Sequence, residues 1–157
     1  MYRDAPPLEC RRLGLEWIQP LMNFLHDLQE AGDKELFHPH PFTEDVITDL
    51  IKHVHKDVYC VLVEGRQILG YGMLRGWDEG FEIPSLGIAI HPAARGNGLG
   101  KVLMQILHVC AMRKGAATVR LRVKSENTRA ANLYQHLGYE FRSEEAGYLV
   151  GFLRLPV

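Results

Sequence analysis

The sequence predicts one mixed α/β domain spanning residues 1–157: a mostly antiparallel central sheet of six or seven strands, with about four helices on its two faces. Three observations lead there. Strand-like apolar runs alternate along the chain with stripes of helical period. One apolar run feeds directly into a glycine-rich turn that opens a helix. A length of 157 residues supports one well-filled core and not two.

In chain order, "LECRRL" from Leu8 reads as the first strand. From Leu15 to Ala31 the apolar residues Trp17, Ile18, Leu21, Met22, Leu25 and Leu28 share one helical face, and Pro20 falls in the first turns, where proline is tolerated. "AGDKELFHPHPFT" reads as an irregular loop. Thr43 is placed as the N-cap of a second helix, with Glu44 and Asp45 at its positive end, running to about His55. "DVYCVLV" and "QILGYGML" are strands joined by "EGRQ" in a hairpin. "EIPSLGIAI" is the fourth strand, opened by Glu82, with Pro84 marking a bulge or an edge. Leu99, Val102, Leu103, Ile106, Leu107 and Cys110 mark a helix ending near Lys114 and Gly115. In "TVRLRVK", Val119, Leu121 and Val123 take one face of a strand, and Arg120, Arg122 and Lys124 the other. Ala130, Leu133, Tyr134 and Leu137 stripe a short helix stopped by Gly138, and "YEFRSEEAGYLVGFLRL" closes the chain as a hairpin.

Composition narrows the function. Hydrophobic residues make up 46% and charged residues 24%, as in a soluble globular protein. A net charge of −1 offers no general attraction to nucleic acid, and no run approaches a membrane span. The N-terminus lacks the apolar stretch of a signal peptide, so a cytoplasmic protein is expected. Three scattered cysteines, Cys10, Cys60 and Cys110, suggest neither a disulfide framework nor a zinc knuckle. No metal site is expected. His53 and His55, two apart on a helix, point about 200° away from each other. His38 and His40 lie in a loop with no carboxylate or thiol at ligand spacing.

The stretch "HPAARGNGLGKVL" carries the clearest chemistry. Gly96, Gly98 and Gly100 fall within five residues, more than a turn requires. The spacing is neither that of a P-loop nor that of a dinucleotide fingerprint. It does share their arrangement of strand, bared backbone and helix N-terminus, whose first N–H groups have no intrahelical partner. Arg95 and Lys101 bracket it with positive charge. A phosphate cradle is expected. Further on, in "ENTRAANLYQHLGYEF", Asn127 stands where an amide could cap a helix or hold a ligand's amide groups. Tyr134 follows seven residues later, near the same helical face.

Together the two segments resemble the GNAT superfamily of acetyl-CoA-dependent N-acetyltransferases. Arg95, Gly98 and Gly100 stand at the fixed positions of its pyrophosphate loop. Asn127, Ala130, Leu133, Tyr134, Gly138 and Tyr139 match the segment that follows, while the first 57 residues agree in topology alone. The resemblance implies a single GNAT-like domain with acetyl-CoA as co-substrate. It also implies that the backbones of Ile88, Ala89 and Ile90 hydrogen-bond the pantetheine arm. The N–H groups of Gly96, Asn97, Gly98, Leu99, Gly100 and Lys101 would hold the pyrophosphate, Asn127 would contact the pantetheine, and the Tyr134 hydroxyl would face the thioester sulfur.

The implied reaction is direct attack by an amine, without an acyl-enzyme. Tyr134 then serves as acid and Glu82 as the candidate base. Some protein-acetylating relatives carry a glutamate five residues before the asparagine; here that residue is Arg122, which weakens a protein N-terminus as acceptor. A small-molecule amine such as an amino sugar is expected. The alternatives are a protein or peptide amine, or an acyl-CoA sensor without turnover. The "FHPHPFT" loop lies where relatives build the acceptor pocket, and the C-terminal strands could pair across a homodimer.

Overall fold

The computed structural model describes residues 3–32 and 37–156. Strands β1 (Leu8–Arg12), β2 (Val58–Glu64), β3 (Gln67–Arg75), β4 (Ser85–Ile90), β5 (Thr118–Lys124), β6 (Glu140–Glu145) and β7 (Tyr148–Arg154) form a single sheet. The strand order is β1-β2-β3-β4-β5-β7-β6, and every neighbouring pair is antiparallel except β4 and β5. The helices are α1 (Ile18–Glu30), α2 (Glu44–His53), α3 (Leu99–Arg113) and α4 (Thr128–His136). This is the mixed α/β architecture the sequence predicts. Among the described residues no helix is long and apolar enough to cross a membrane.

Strand alternation sends side chains into two layers. Tyr59, Val61 and Val63 of β2, with Tyr71 and Met73 of β3, pack under α1 and α2 against Leu21, Phe24, Leu25, Leu28 and Ile47. Cys60 and Leu62 of β2, Leu74 of β3, and Val119, Leu121 and Val123 of β5 pack under α3 and α4 against Leu103, Met104 and Leu107. Helix α3 lies directly on β3 because Gly72 has no side chain. A Cβ there would stand 3.0 Å from a Leu107 methyl and 3.1 Å from one of Leu103.

Three boundaries differ from the sequence reading. A 3-10 turn (Leu15–Trp17) precedes α1. Helix α2 begins at the Thr43 cap, whose hydroxyl accepts the Val46 N–H at 3.4 Å, but it ends at His53 rather than His55. The cause is tertiary: the Asp78 carboxylate gathers the N–H groups of His55, Lys56 and Asp57 at 3.0, 2.6 and 3.2 Å, drawing the chain out of the helix. The fourth strand begins at Ser85, not Glu82. Pro84 lies just before it and cannot donate to a ladder, but its carbonyl accepts the Arg120 N–H at 3.0 Å. Part of the loop expected from Ala31 to Thr43, residues 33–36, lies outside the described residues.

That bond belongs to the single registered pair between β4 and β5, Ser85 with Arg120. Past it the strands diverge, and a cleft opens in the middle of the sheet.

Candidate functional site

The cleft encloses about 380 Å³. Its walls come from both sides of the sheet: Gly100 of α3 and Leu133 and Tyr134 of α4 on one side, Leu28 of α1 and Phe37 on the other. The cleft therefore passes through the sheet rather than resting on it.

Alternation decides which backbone groups line it. The Pro84 carbonyl faces β5, so the N–H and C=O groups of Leu86, Ile88 and Ile90 turn the same way; Leu86 belongs to the last rung to β5, and Ile88 and Ile90 lie beyond it. Ala89 is out of phase. It stands opposite Tyr71 of β3, and the His91 N–H on the same edge donates to the Leu69 carbonyl at 2.8 Å. All three residues expected to offer backbone groups line the cleft, but only Ile88 and Ile90 turn those groups toward it, and Ala89 turns its own to β3.

The glycine stretch lies at one end. Gly96 and Gly98 hold φ of +89° and +85°, and Gly98 is the N-cap of α3. Side chains adopt such angles at a cost of roughly 1–2 kcal/mol, which explains glycine at these positions. The first helical bond runs from the Val102 N–H to the Gly98 carbonyl at 3.1 Å, so the N–H groups of Leu99, Gly100 and Lys101 lie ahead of it. With the positive end of the helix, they form an anion-binding terminus at the cleft. Arg95 and Lys101 line the same region. Asn97 does not line the cleft. It borders a neighbouring hollow of about 250 Å³ with Leu69, His91 and Leu99. The loop is anchored by His91, whose Nδ1 accepts the Ala93 N–H at 3.1 Å while Nε2–H donates to Asp27 of α1 at 2.8 Å.

Tyr134 is 7% exposed, and burial pushes its hydroxyl up to about 12. The hydroxyl makes no hydrogen bond among the described residues, and no fully buried side-chain oxygen there lacks a partner, so this one opens onto the cleft. Asn127 caps α4, its Oδ1 accepting the Ala130 N–H at 3.3 Å, which leaves its amide N–H groups at the cleft wall.

Beside Asn97, a second expected residue lies off the cleft, and a lining cation was not foreseen. Glu82 is exposed, precedes β4 and is absent from the cleft lining. Arg129, in the first turn of α4, does line it. A cation there opposes the helix dipole, an arrangement that an anion between the two would relieve. The cleft thus carries Arg95, Lys101, Arg122 and Arg129 with no carboxylate or imidazole among its described lining residues. His40 is buried, not in the cleft: its Nδ1–H donates to the Pro41 carbonyl at 2.8 Å, and Nε2 accepts the Tyr71 hydroxyl at 2.9 Å. Burial holds its pKa below the ordinary histidine value. His38 is exposed, its ring 5.5 Å from that of Phe42. Arg75 donates to the Pro39 carbonyl and helps tie this loop to β3.

The family described as Acetyltransferase (GNAT) has a model that matches residues 22–139. Thialysine N-epsilon-acetyltransferase of Bos taurus is 32% identical over 158 residues, covering 94% of this chain and 88% of the relative. Its Mus musculus counterpart is 27% identical over 124 residues, 77% of this chain and 69% of the relative. Mycothiol acetyltransferase of Renibacterium salmoninarum is 43% identical over 116 residues, 73% of this chain but only 30% of that longer protein. Among solved structures, the PaiA N-acetyltransferase of Thermoplasma acidophilum, in complex with coenzyme A, matches with a TM-score of 0.81. The match covers 94% of this chain and 99% of that one at 13% identity, a likeness of fold.

Proposed function

The chain belongs to the GNAT family of acetyltransferases, and we propose that it transfers the acetyl group of acetyl-CoA directly to the primary amine of a small molecule, with an amino sugar as the favoured class. The observation that carries this reading is the cleft through the sheet, which two ligands can enter from opposite sides and meet in the middle.

Acetyl-CoA would enter from the side of α3 and α4. Its pyrophosphate would rest on the N–H groups of Gly96, Gly98, Leu99, Gly100 and Lys101 between Arg95 and Lys101, and Arg129 would meet a further phosphate. The pantetheine would lie along the open edge of β4 as one more strand, bonded by the backbones of Ile88 and Ile90 and by the Asn127 amide. A β4 N–H would polarise the thioester carbonyl as the amine attacks. The C–N bond forms, the C–S bond breaks, and Tyr134 gives its proton to the departing thiolate. The phenol is protonated at neutral pH, and its place in the cleft wall is what suits it to this task.

Glu82, exposed and off the strand, is replaced as base by water, which takes one proton from the acceptor's ammonium before the neutral amine attacks and a second from the nitrogen as the C–N bond forms, while solvent returns a proton to Tyr134. The names of the relatives support an amine acceptor. The bovine and murine proteins are named for the ε-amine of thialysine, and the bacterial one for mycothiol.

The test is release of free thiol from acetyl-CoA with a panel of amino sugars, polyamines, amino acids and peptides. Turnover with a small amine, abolished by Gly98→Asp, is expected. Peptides as the only acceptors would reject the small-molecule reading, and failure of the wild type to bind acetyl-CoA would reject the whole.

A further inference from the structure

We propose that the acceptor amine carries an anionic group, a carboxylate or a phosphate, which Arg122 receives at the mouth of the cleft on the side of α1 and α2. The inference rests on the transfer reading above and deepens it.

The sides of β5 carry the argument. Val119, Leu121 and Val123 are buried beneath α3 and α4, so Arg120, Arg122 and Lys124 project from the opposite face. Arg122 lines the cleft on that face, which Leu28 and Phe37 also border. The loop for the coenzyme's phosphates, Gly96 to Lys101, opens at the N-terminus of α3 on the other face. Arg122 is therefore on the wrong side of the sheet to bind those phosphates and on the side from which the amine must come.

Its charge is also held in place and uncompensated by carboxylate. The guanidinium stacks on the Tyr148 ring, 4.3 Å from the centroid, which fixes a long side chain that would otherwise sweep through solvent. Among the described residues no carboxylate pairs with Arg122, and the cleft lining contains none. Nearby, Arg120 is engaged by a neutral group, its Nη1 donating to the Ser85 hydroxyl at 3.4 Å.

A cation at this mouth repels an incoming ammonium. An acceptor that brings its own negative charge turns the repulsion into a charge-assisted, two-pronged contact and sets its amine at a fixed distance from the thioester. Discrimination of this kind falls mainly on molecules that lack the anion.

Two matched pairs test it: glucosamine 6-phosphate against glucosamine, and β-alanine against β-alaninamide. The readout is thiol release from acetyl-CoA, taken as the ratio of kcat/KM, acidic over neutral, within each pair. We expect a ratio of about ten or more in one pair, and that pair names phosphate or carboxylate. Arg122→Gln should bring the ratio to within about twofold of one, and Arg122→Lys, which keeps the charge without the planar fork, should retain part of it. A ratio near one in both pairs, or a high ratio that survives Arg122→Gln, overturns the inference. If no amine is acetylated, the same four compounds are titrated calorimetrically into protein loaded with coenzyme A. Binding of an acidic member alone, lost in Arg122→Gln, upholds the anion site while the transfer reading falls. Equal binding within each pair, or none, overturns it.

Discussion

Tyr134 owes its competence as a proton donor to where α4 places it. A phenol is protonated at neutral pH in any case, and burial, which raises this hydroxyl to about 12, leaves it so; what α4 adds is the position at the cleft wall. Tyr134→Phe keeps the ring and removes the donor, and kcat should fall about a hundredfold with the Kd for acetyl-CoA little changed. Gly98 answers to a different constraint. At φ +85° an alanine is strained although its Cβ would meet nothing within 4 Å, so Gly98→Ala should weaken acetyl-CoA binding, read as a higher Kd by calorimetry, more than it lowers Tm. With water as base, kcat/KM should rise with pH in proportion to the neutral amine, with no earlier inflection from a protein group, and Glu82→Gln should leave that profile in place. These residues differ in how far the sequence discloses them. The clustered glycines and the Asn127 to Tyr134 spacing are local patterns, visible in one dimension. Glu82 is misplaced because the strand start is set by a long-range contact, the Arg120 N–H on the Pro84 carbonyl, which local pattern does not contain.

At the scale of elements, the contact between α3 and β3 is the least forgiving. Both Leu103 and Leu107 are fully buried where they meet the bare Cα of Gly72. Gly72→Ala should overpack this contact and destabilise the protein by about 1–3 kcal/mol, seen as a lower urea midpoint with an unchanged slope. The helices and strands themselves were legible from period, cap and turn chemistry. Trp17 to Leu28 repeats at helical spacing, Thr43 sits at its cap, and β5 alternates without a break. The end of α2 was not, because Asp78, more than twenty residues away, takes the N–H groups that a further helical turn would have used.

Across the whole molecule, two buried histidines link stability to pH. His40 bonds Tyr71 beneath the α1 and α2 layer, and His108 bonds the Tyr139 hydroxyl at 2.8 Å beneath α3 and α4. Burial lowers both below the ordinary value of 6.5. Between those lowered values and 6.5 the unfolded chain binds protons that the folded chain refuses. Their contribution is therefore full above pH 6.5 and declines as the pH falls through that window. Urea midpoints measured from pH 7.5 downward should drop below about 6.5, and more shallowly in His40→Gln or His108→Gln. The two-layer arrangement that buries them was visible in the order of elements. Their tyrosine partners, 31 residues away in each case, were not.

The divergence of β4 from β5 has one more consequence. Amides at the centre of a seven-stranded sheet are ordinarily the last to trade their protons with solvent, yet those of Ile88 and Ile90 face an opening. In deuterium oxide they should label early, well ahead of Gly72 or Val61, and become slow once coenzyme A is added. The molecule would then carry its most labile backbone where most sheets keep their most protected, and a small ligand would restore the missing rungs.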